Sequence, residues 1–171
     1  MFLNDMESEA QRVKRMHDWP PGLTYAKEVF PQLGSGPAGG TGFGELFDAH
    51  GIEVRGKPFD LDFRRYHIIE FEGRLVWIVA RSAGVPIGYA CSFWYRDLHF
   101  NERVAADDLW FVHKDYRQKG VGESLKNRCH AELKSQGVVT IYDTIRESYN
   151  HPGLMSDLGF ERWGVRWKKT L

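Results

Sequence analysis

The chain has 171 residues, 42% hydrophobic and 14% aromatic. That suits one folded domain with a real core and excludes disorder over most of its length. Lysine plus arginine and aspartate plus glutamate balance at 23 each, so the chain lacks the broad positive field of a general nucleic-acid binder, although a local patch is compatible with that balance. Its two cysteines, Cys91 and Cys129, fall in a predicted strand and a predicted helix without metal-ligand spacing, which reads as a reducing compartment and no metal site. No apolar run reaches the roughly 18 residues of a membrane helix, and MFLNDMESEAQRVKR does not read as a signal peptide. The expectation is a cytoplasmic protein with no membrane partner.

Residues 1–20 are charged and mixed, a short surface helix or a frayed arm, ended by Trp19-Pro20-Pro21-Gly22. Leu23 to Phe30 reads as a first strand. The glycine-rich segment Gly34 to Gly44 contains G-x-G-x-x-G at Gly34, Gly36 and Gly39, but no strand-helix unit surrounds it, so it reads as a mobile loop. Residues 1–43 are thus an arm, and 44–171 the main domain. Glu45 to Val54 reads as a helix, with Leu46, Phe47 and Val54 inward; His50 and Glu53 lie three apart on one face, which reads as solvated more than as a substrate contact. Asp60 is placed to cap a second helix reaching Phe71, with Leu61, Phe63, Tyr66 and Ile69 inward. Leu75 to Ala80, Ile87 to Tyr95 and Arg103 to His113 form an antiparallel meander. A helix follows with Val121, Leu125, Cys129 and Leu133 as its core stripe, ended by Gly137. Val138 to Ile145 is the next strand, Pro152 to Leu158 a short helix, and Arg162 to Thr170 a final strand. Trp77, Trp94, Tyr95 and Trp110 read as core more than as pocket lining.

The stretch Leu109 to Leu125, LWFVHKDYRQKGVGESL, carries the chemistry. Leu109 to Val112 is a buried strand by composition, His113 to Lys119 leaves the core, and Gly120-Val121-Gly122 opens a helix. The first N–H groups of a helix have no internal partner, and the helix dipole adds positive charge there. Glycine lets a phosphate approach the backbone. A pyrophosphate is therefore expected on residues 117–122.

Val112 to Gly122, VHKDYRQKGVG, closely resembles the acetyl-CoA signature of the GNAT superfamily of N-acetyltransferases, which runs strand, V-x-P-x-Y-R-G-K-G-(V/I)-G, helix. Lys114 stands where proline is usual and Gln118 where glycine is usual; neither change removes a backbone N–H. The β-β-β-α-β-α-β order from residue 75 and the pair Gly159-Phe160 before the last strand extend the resemblance over about residues 44 to 171. More narrowly, the chain resembles GNAT proteins encoded by tailed phages: the helix with a His and a Glu, the pair His99-Phe100, and Ala105-x-x-Asp108. The resemblance implies an α/β (α+β) fold, a mixed and mostly antiparallel sheet of about six to seven strands flanked by about four helices. It implies acetyl-CoA as cofactor, its pantetheine along Trp110, Phe111 and Val112 where strands splay apart, and its pyrophosphate on Arg117, Gln118, Lys119, Gly120, Val121 and Gly122.

Acetyl transfer to an amine also needs a base, because an alkylamine is protonated at neutral pH. Asp107 and Asp108 precede the cofactor edge. Alternation sends them to opposite faces, with Asp108 on the side of Trp110 and Val112; Asp108 ranks first and Asp107 second. Many GNAT enzymes carry a glutamate two residues earlier, where this chain has Ala106. The plainer reading is that either aspartate ends a turn or pairs with Arg103. Many GNAT enzymes protonate the leaving thiolate with a tyrosine four residues before Gly-Phe; that position is Met155 here, and the nearest hydroxyls are Ser148, Tyr149 and Ser156. Tyr149 is the candidate acid.

The reading is an acetyl-CoA-dependent acyltransferase that acetylates a primary amine, of a small molecule or a protein, by direct attack in a ternary complex. Cys91 is expected to be buried rather than a nucleophile. A homodimer is compatible with this reading. The alternatives are a GNAT-fold protein that modifies a DNA base, hinted at by the cations and aromatics of Arg162 to Lys169, a CoA-binding module without turnover, or an interaction protein without a CoA site.

Overall fold

The computed structural model describes residues 19–31, 42–144 and 152–162. Its elements run β1 (Thr24–Lys27), α1 (Phe43–Arg55), α2 (Phe63–Phe71), β2 (Leu75–Ser82), β3 (Val85–Arg96), β4 (Arg103–Val112), a 3-10 turn (Lys114–Tyr116), α3 (Val121–Ser135), β5 (Thr140–Tyr142) and α4 (Pro152–Asp157). The strands make one sheet in the order β1-β2-β3-β4-β5, antiparallel except between β4 and β5. This is the mixed, mostly antiparallel α/β architecture read from the sequence, with five strands among the described residues rather than six to seven. Of the stretch read as Val138 to Ile145, the described residues form a strand at Thr140–Tyr142, and Ile145 lies outside them. The expected last strand, the cationic tail, the arm before residue 19 and most of the glycine-rich loop lie outside the described residues.

Both faces of the sheet are covered, so β2 is buried continuously from Leu75 to Ala80 instead of alternating. On one face Val76, Ile78, Ala90 and Val112 meet Val121, Leu125, Cys129 and Leu133 of α3. These four helical residues sit one turn apart and are at most 1% exposed, the stripe that the fourfold spacing predicts. On the other face Trp77, Val79, Tyr89, Leu109 and Phe111 meet Phe30 and the α1 residues Phe43, Leu46 and Phe47.

Local signals set the joins. Ser82 pairs with Val85 across a two-residue turn in which Ala83 and Gly84 both have positive φ, the conformation that matches strand twist in a tight hairpin. In α1, a Cβ on Gly51 would stand 2.5 Å from the backbone N of Phe59, so glycine lets the following chain fold back against the helix. The cap of α2 is Asp62, not Asp60: its carboxylate accepts the backbone N–H of Arg65 at 3.0 Å.

Candidate active site

Pairing between β4 and β5 is short. It joins Val104 to Thr140, Ala105 to Ile141 and Ala106 to Tyr142. Beyond that, the outer edge of β4 has no strand beside it among the described residues, and a cleft of about 1190 Å³ opens along it. The His113 N–H is donated to Ile87 O, toward β3. Alternation along the strand therefore turns the N–H groups of Val112 and Trp110 outward, into the cleft. One wall comes from α1 and the chain after it, through His50, Val54 and Phe59; the other is the N-terminus of α3.

The β3–β4 register slips at the aspartates. Cys91 faces Leu109 and Ser92 faces Asp107, so Asp108 is the extra residue of a β-bulge. This overturns the alternation read from the sequence. Asp107 lies on the α3 face with Trp110 and Val112, and Asp108 lies on the α1–α2 face with Leu109 and Phe111.

The two carboxylates meet different surroundings. Asp107 has a side chain only 3% exposed, 2.6 Å from Lys126 Nζ and 3.0 Å from His130 Nε2, and it accepts the Ser92 hydroxyl. Burial alone would raise its pKa; the His130 hydrogen bond and the Lys126 charge outweigh it and hold the carboxyl at about 2. Lys126 Nζ also sits 2.7 Å from Asp143, just beyond β5, and so ties the two strands together where they part. Burial opposes its charge, but the two carboxylates prevail and raise its pKa. Asp108 is exposed to the cleft and accepts the Tyr66 hydroxyl from α2. Desolvation by the surrounding protein raises its pKa, Tyr66 lowers it, and the Asp107 charge adds to the rise. Neither aspartate pairs with Arg103, which bonds the Gln136 carbonyl and lies 4.6 Å over the Trp94 ring.

At the other end of the cleft, Gln118 and Gly120 both have left-handed φ, 61° and 72°, which accounts for the glycine usual at the former position. Gly120 is the N-cap of α3, and no side chain caps that helix. Nothing stands within 4 Å of where a Cβ on Gly120 would be, whereas a Cβ on Gly122 would come within 3.1 Å of the Trp110 ring. An open glycine cap over uncapped helical N–H groups suits a pyrophosphate. Eight of the nine residues expected to hold acetyl-CoA line the cleft; Lys119 does not. The Arg117 side chain is engaged in the fold: its Nε donates to Val112 O at 2.8 Å, and its guanidinium pairs with Glu53 and lies 5.3 Å over Phe111.

His50 is buried, against the solvated face read for it. Its Nδ1 is 2.7 Å from the Tyr89 hydroxyl, and its ring stacks on Phe111 at 4.8 Å. Its place was legible: Phe43, Phe47 and His50 follow the helical core spacing. Lys126 and His130 carried no signal, and Tyr66 only that of an inward helical residue, because partners on other elements define their roles. Of the aromatic set, Trp77 is core, Trp94 bonds Gln136, Tyr95 is exposed, and Trp110 lines the cleft. Cys91 and Cys129 are buried, and burial pushes the Cys129 thiol up to about 12. Met155 lines the cleft, and Ser148 and Tyr149 lie outside the described residues.

The acetyltransferase (GNAT) family matches residues 43–155, more than half of the chain. No curated protein matches by sequence. Solved structures share the fold at low identity. A glucosamine-6-phosphate N-acetyltransferase from Arabidopsis thaliana is 17% identical, with a TM-score of 0.66 over 86% of this chain and 97% of that one. An aminoglycoside acetyltransferase from an uncultured soil metagenomic sample, in complex with sisomicin, is 14% identical, with a TM-score of 0.65 over 87% and 96%. A predicted acetyltransferase from Clostridium acetobutylicum, with acetyl-CoA, is 13% identical, with a TM-score of 0.65 over 86% and 96%. The chain belongs to the acetyltransferase (GNAT) family, whose members use acetyl-CoA and whose membership implies acyltransferase activity. No helix among the described residues is long and apolar enough to cross a membrane.

Proposed function

We propose that the protein is an acetyl-CoA-dependent N-acetyltransferase that transfers acetyl directly to a primary amine in a ternary complex. The observation that carries this is the open outer edge of β4, with a glycine-capped helix N-terminus at one end and a bulged, exposed carboxylate at the other. Acetyl-CoA supplies an activated acyl group on a good leaving group. The N–H groups of Gln118 to Gly122 hold its pyrophosphate, Trp110, Phe111 and Val112 flank its pantetheine, and Arg117 braces the loop against β4 and α1.

The outward N–H of Val112 or Trp110 serves as the donor to the developing oxyanion, a contact typically worth roughly 2.7–4 kcal/mol. Asp108 takes the proton from the amine. Its raised pKa makes it a better base than a free carboxylate, and its exposure leaves it reachable. Asp107, locked to Lys126 and His130, positions the strands instead. Neither cysteine lines the cleft, which supports direct transfer over an acyl-enzyme. Two of the structures of like fold are named for acetylation of amino-bearing sugars or aminoglycosides, which supports an amine acceptor.

The test is labelled acetyl-CoA incubated with a lysate, followed by separation into protein, nucleic-acid and small-molecule fractions. Label on an amine in the protein or small-molecule fraction is expected. Label on nucleic acid would favour a base-modifying protein, and cofactor binding without any labelled product a module without turnover.

A further inference from the structure

His50 has no part in the transfer described so far, yet it is buried, 7% exposed, and forms part of the cleft wall. Three contacts fix its ring. Phe111 stacks on one face at an interplanar angle of 18°, Phe59 meets it edge-on at 4.8 Å, and Nδ1 reaches the Tyr89 hydroxyl at 2.7 Å. Tyr89 is fully buried, and His50 is its hydrogen-bond partner among the described residues. A buried hydroxyl hydrogen left without an acceptor is costly, so Tyr89 donates and Nδ1 accepts. The ring hydrogen then sits on Nε2. That nitrogen lies across the ring from Nδ1 and has no hydrogen-bond partner among the described residues, and His50 itself is one of the residues that line the cleft.

Charge does not disturb this arrangement. Burial lowers the pKa of His50 to about 4; Glu53 on the same helix opposes the shift, and Arg117 from the loop adds to it. The imidazole is therefore neutral, with one fixed donor, on the same face of β4 as Asp108. An attacking amine cannot be that donor's partner, because its lone pair forms the new bond.

We propose that His50 is a substrate-contacting hydrogen-bond donor whose Nε2–H selects amines carrying an oxygen close to the nitrogen, such as amino alcohols or amino sugars. This rests on the acetyltransferase reading and adds a specificity element to it.

The test has a spectroscopic arm and a kinetic arm. Side-chain ¹⁵N spectra of the wild type should show His50 neutral as the Nε2–H tautomer from about pH 8 to 5.5. Tyr89→Phe should release it to a mixture. For kinetics, the double variant His50→Phe/Tyr89→Phe removes both polar ends together and avoids an orphaned hydroxyl. The ratio of kcat/KM for ethanolamine over propylamine should fall about tenfold in this folded variant, the equivalent of one lost hydrogen bond. An Nδ1–H tautomer, or an unchanged ratio in the folded variant, overturns the proposal. An equal loss with both amines also overturns it, pointing to contact with the thioester rather than the acceptor. Failure of the wild type to acetylate either amine counts against the acetyltransferase reading, and the nitrogen spectra still decide whether His50 offers the donor.

Discussion

Tyr66 donates its hydroxyl to Asp108 across 42 residues of sequence, from α2 to the bulge of β4. Burial and the neighbouring carboxylate raise the tyrosine's own pKa well above its ordinary value, so it stays a donor at any working pH. The contact aims a carboxylate that would otherwise be free to turn, and it lowers a pKa that desolvation raises.

Asp108→Asn should reduce turnover by about 10²–10⁴-fold at neutral pH, the usual contribution of a positioned base, with acetyl-CoA affinity retained. Its melting midpoint should not fall, because a carboxylate with a raised folded-state pKa costs stability as pH rises through that pKa. Tyr66→Phe removes the contact that lowers the Asp108 pKa. The acid limb of kcat/KM against pH should therefore move to higher pH, which a pH–rate profile measures directly.

Lys126→Met leaves Asp107 and Asp143 facing each other without their cation. A loss of about 3–5 kcal/mol in stability is expected by chemical denaturation. The sign with pH follows from the two shifts. Asp107, held at about 2, contributes stability that is complete above the ordinary carboxylate range and is lost as pH falls toward 2. Lys126, with a raised pKa, contributes stability that is complete below the ordinary lysine range and is lost as pH rises past its folded value. Across neutral pH neither Asp107 nor Lys126 should contribute a slope to the stability profile of the wild type.

The fold was largely legible because its signals are local. The stripe Val121, Leu125, Cys129 and Leu133, the apolar run of β2 and the glycine loop each announce their element without reference to distant residues. The candidate site was legible only where it is backbone. The assignment of Asp107 and Asp108 to faces failed because a bulge is a property of two paired strands, and a period-2 pattern in one of them cannot reveal it. His50 was misplaced because its charge-bearing type suggested solvent, while its helical spacing from Phe43 and Phe47 placed it inside. Lys126 falls beside a core stripe, and the reason it is buried lies on β4 and past β5.

Gln118→Gly should raise stability by up to about 1 kcal/mol, since relief of a left-handed side chain exceeds the added entropy of the unfolded chain. Gln118→Val should lower it by about 1–2 kcal/mol. Thermal melts of the two variants read this directly, with opposite signs expected.

Met155 in the cleft wall has no proton to give a departing thiolate. A thiol has an ordinary pKa of about 8.5, so the thiolate leaves acceptably without a dedicated acid. Tyr149→Phe should therefore cost less than tenfold in turnover, about 1.4 kcal/mol on the barrier. A hundredfold loss with cofactor binding kept would make Tyr149 the acid.

The central claim is that the glycine-capped end of the cleft holds acetyl-CoA. Its most direct test is the thermal midpoint of the wild type and of Gly120→Glu with acetyl-CoA at about 100 times its dissociation constant. Ligand at that level adds about 2.7 kcal/mol, a rise of roughly 5–10 °C for a domain of this size. The wild type should show that rise. Gly120→Glu, which brings a like charge to the phosphates, should show none. No rise in the wild type with acetyl-CoA or longer acyl-CoAs, or an undiminished rise in Gly120→Glu, would contradict the account.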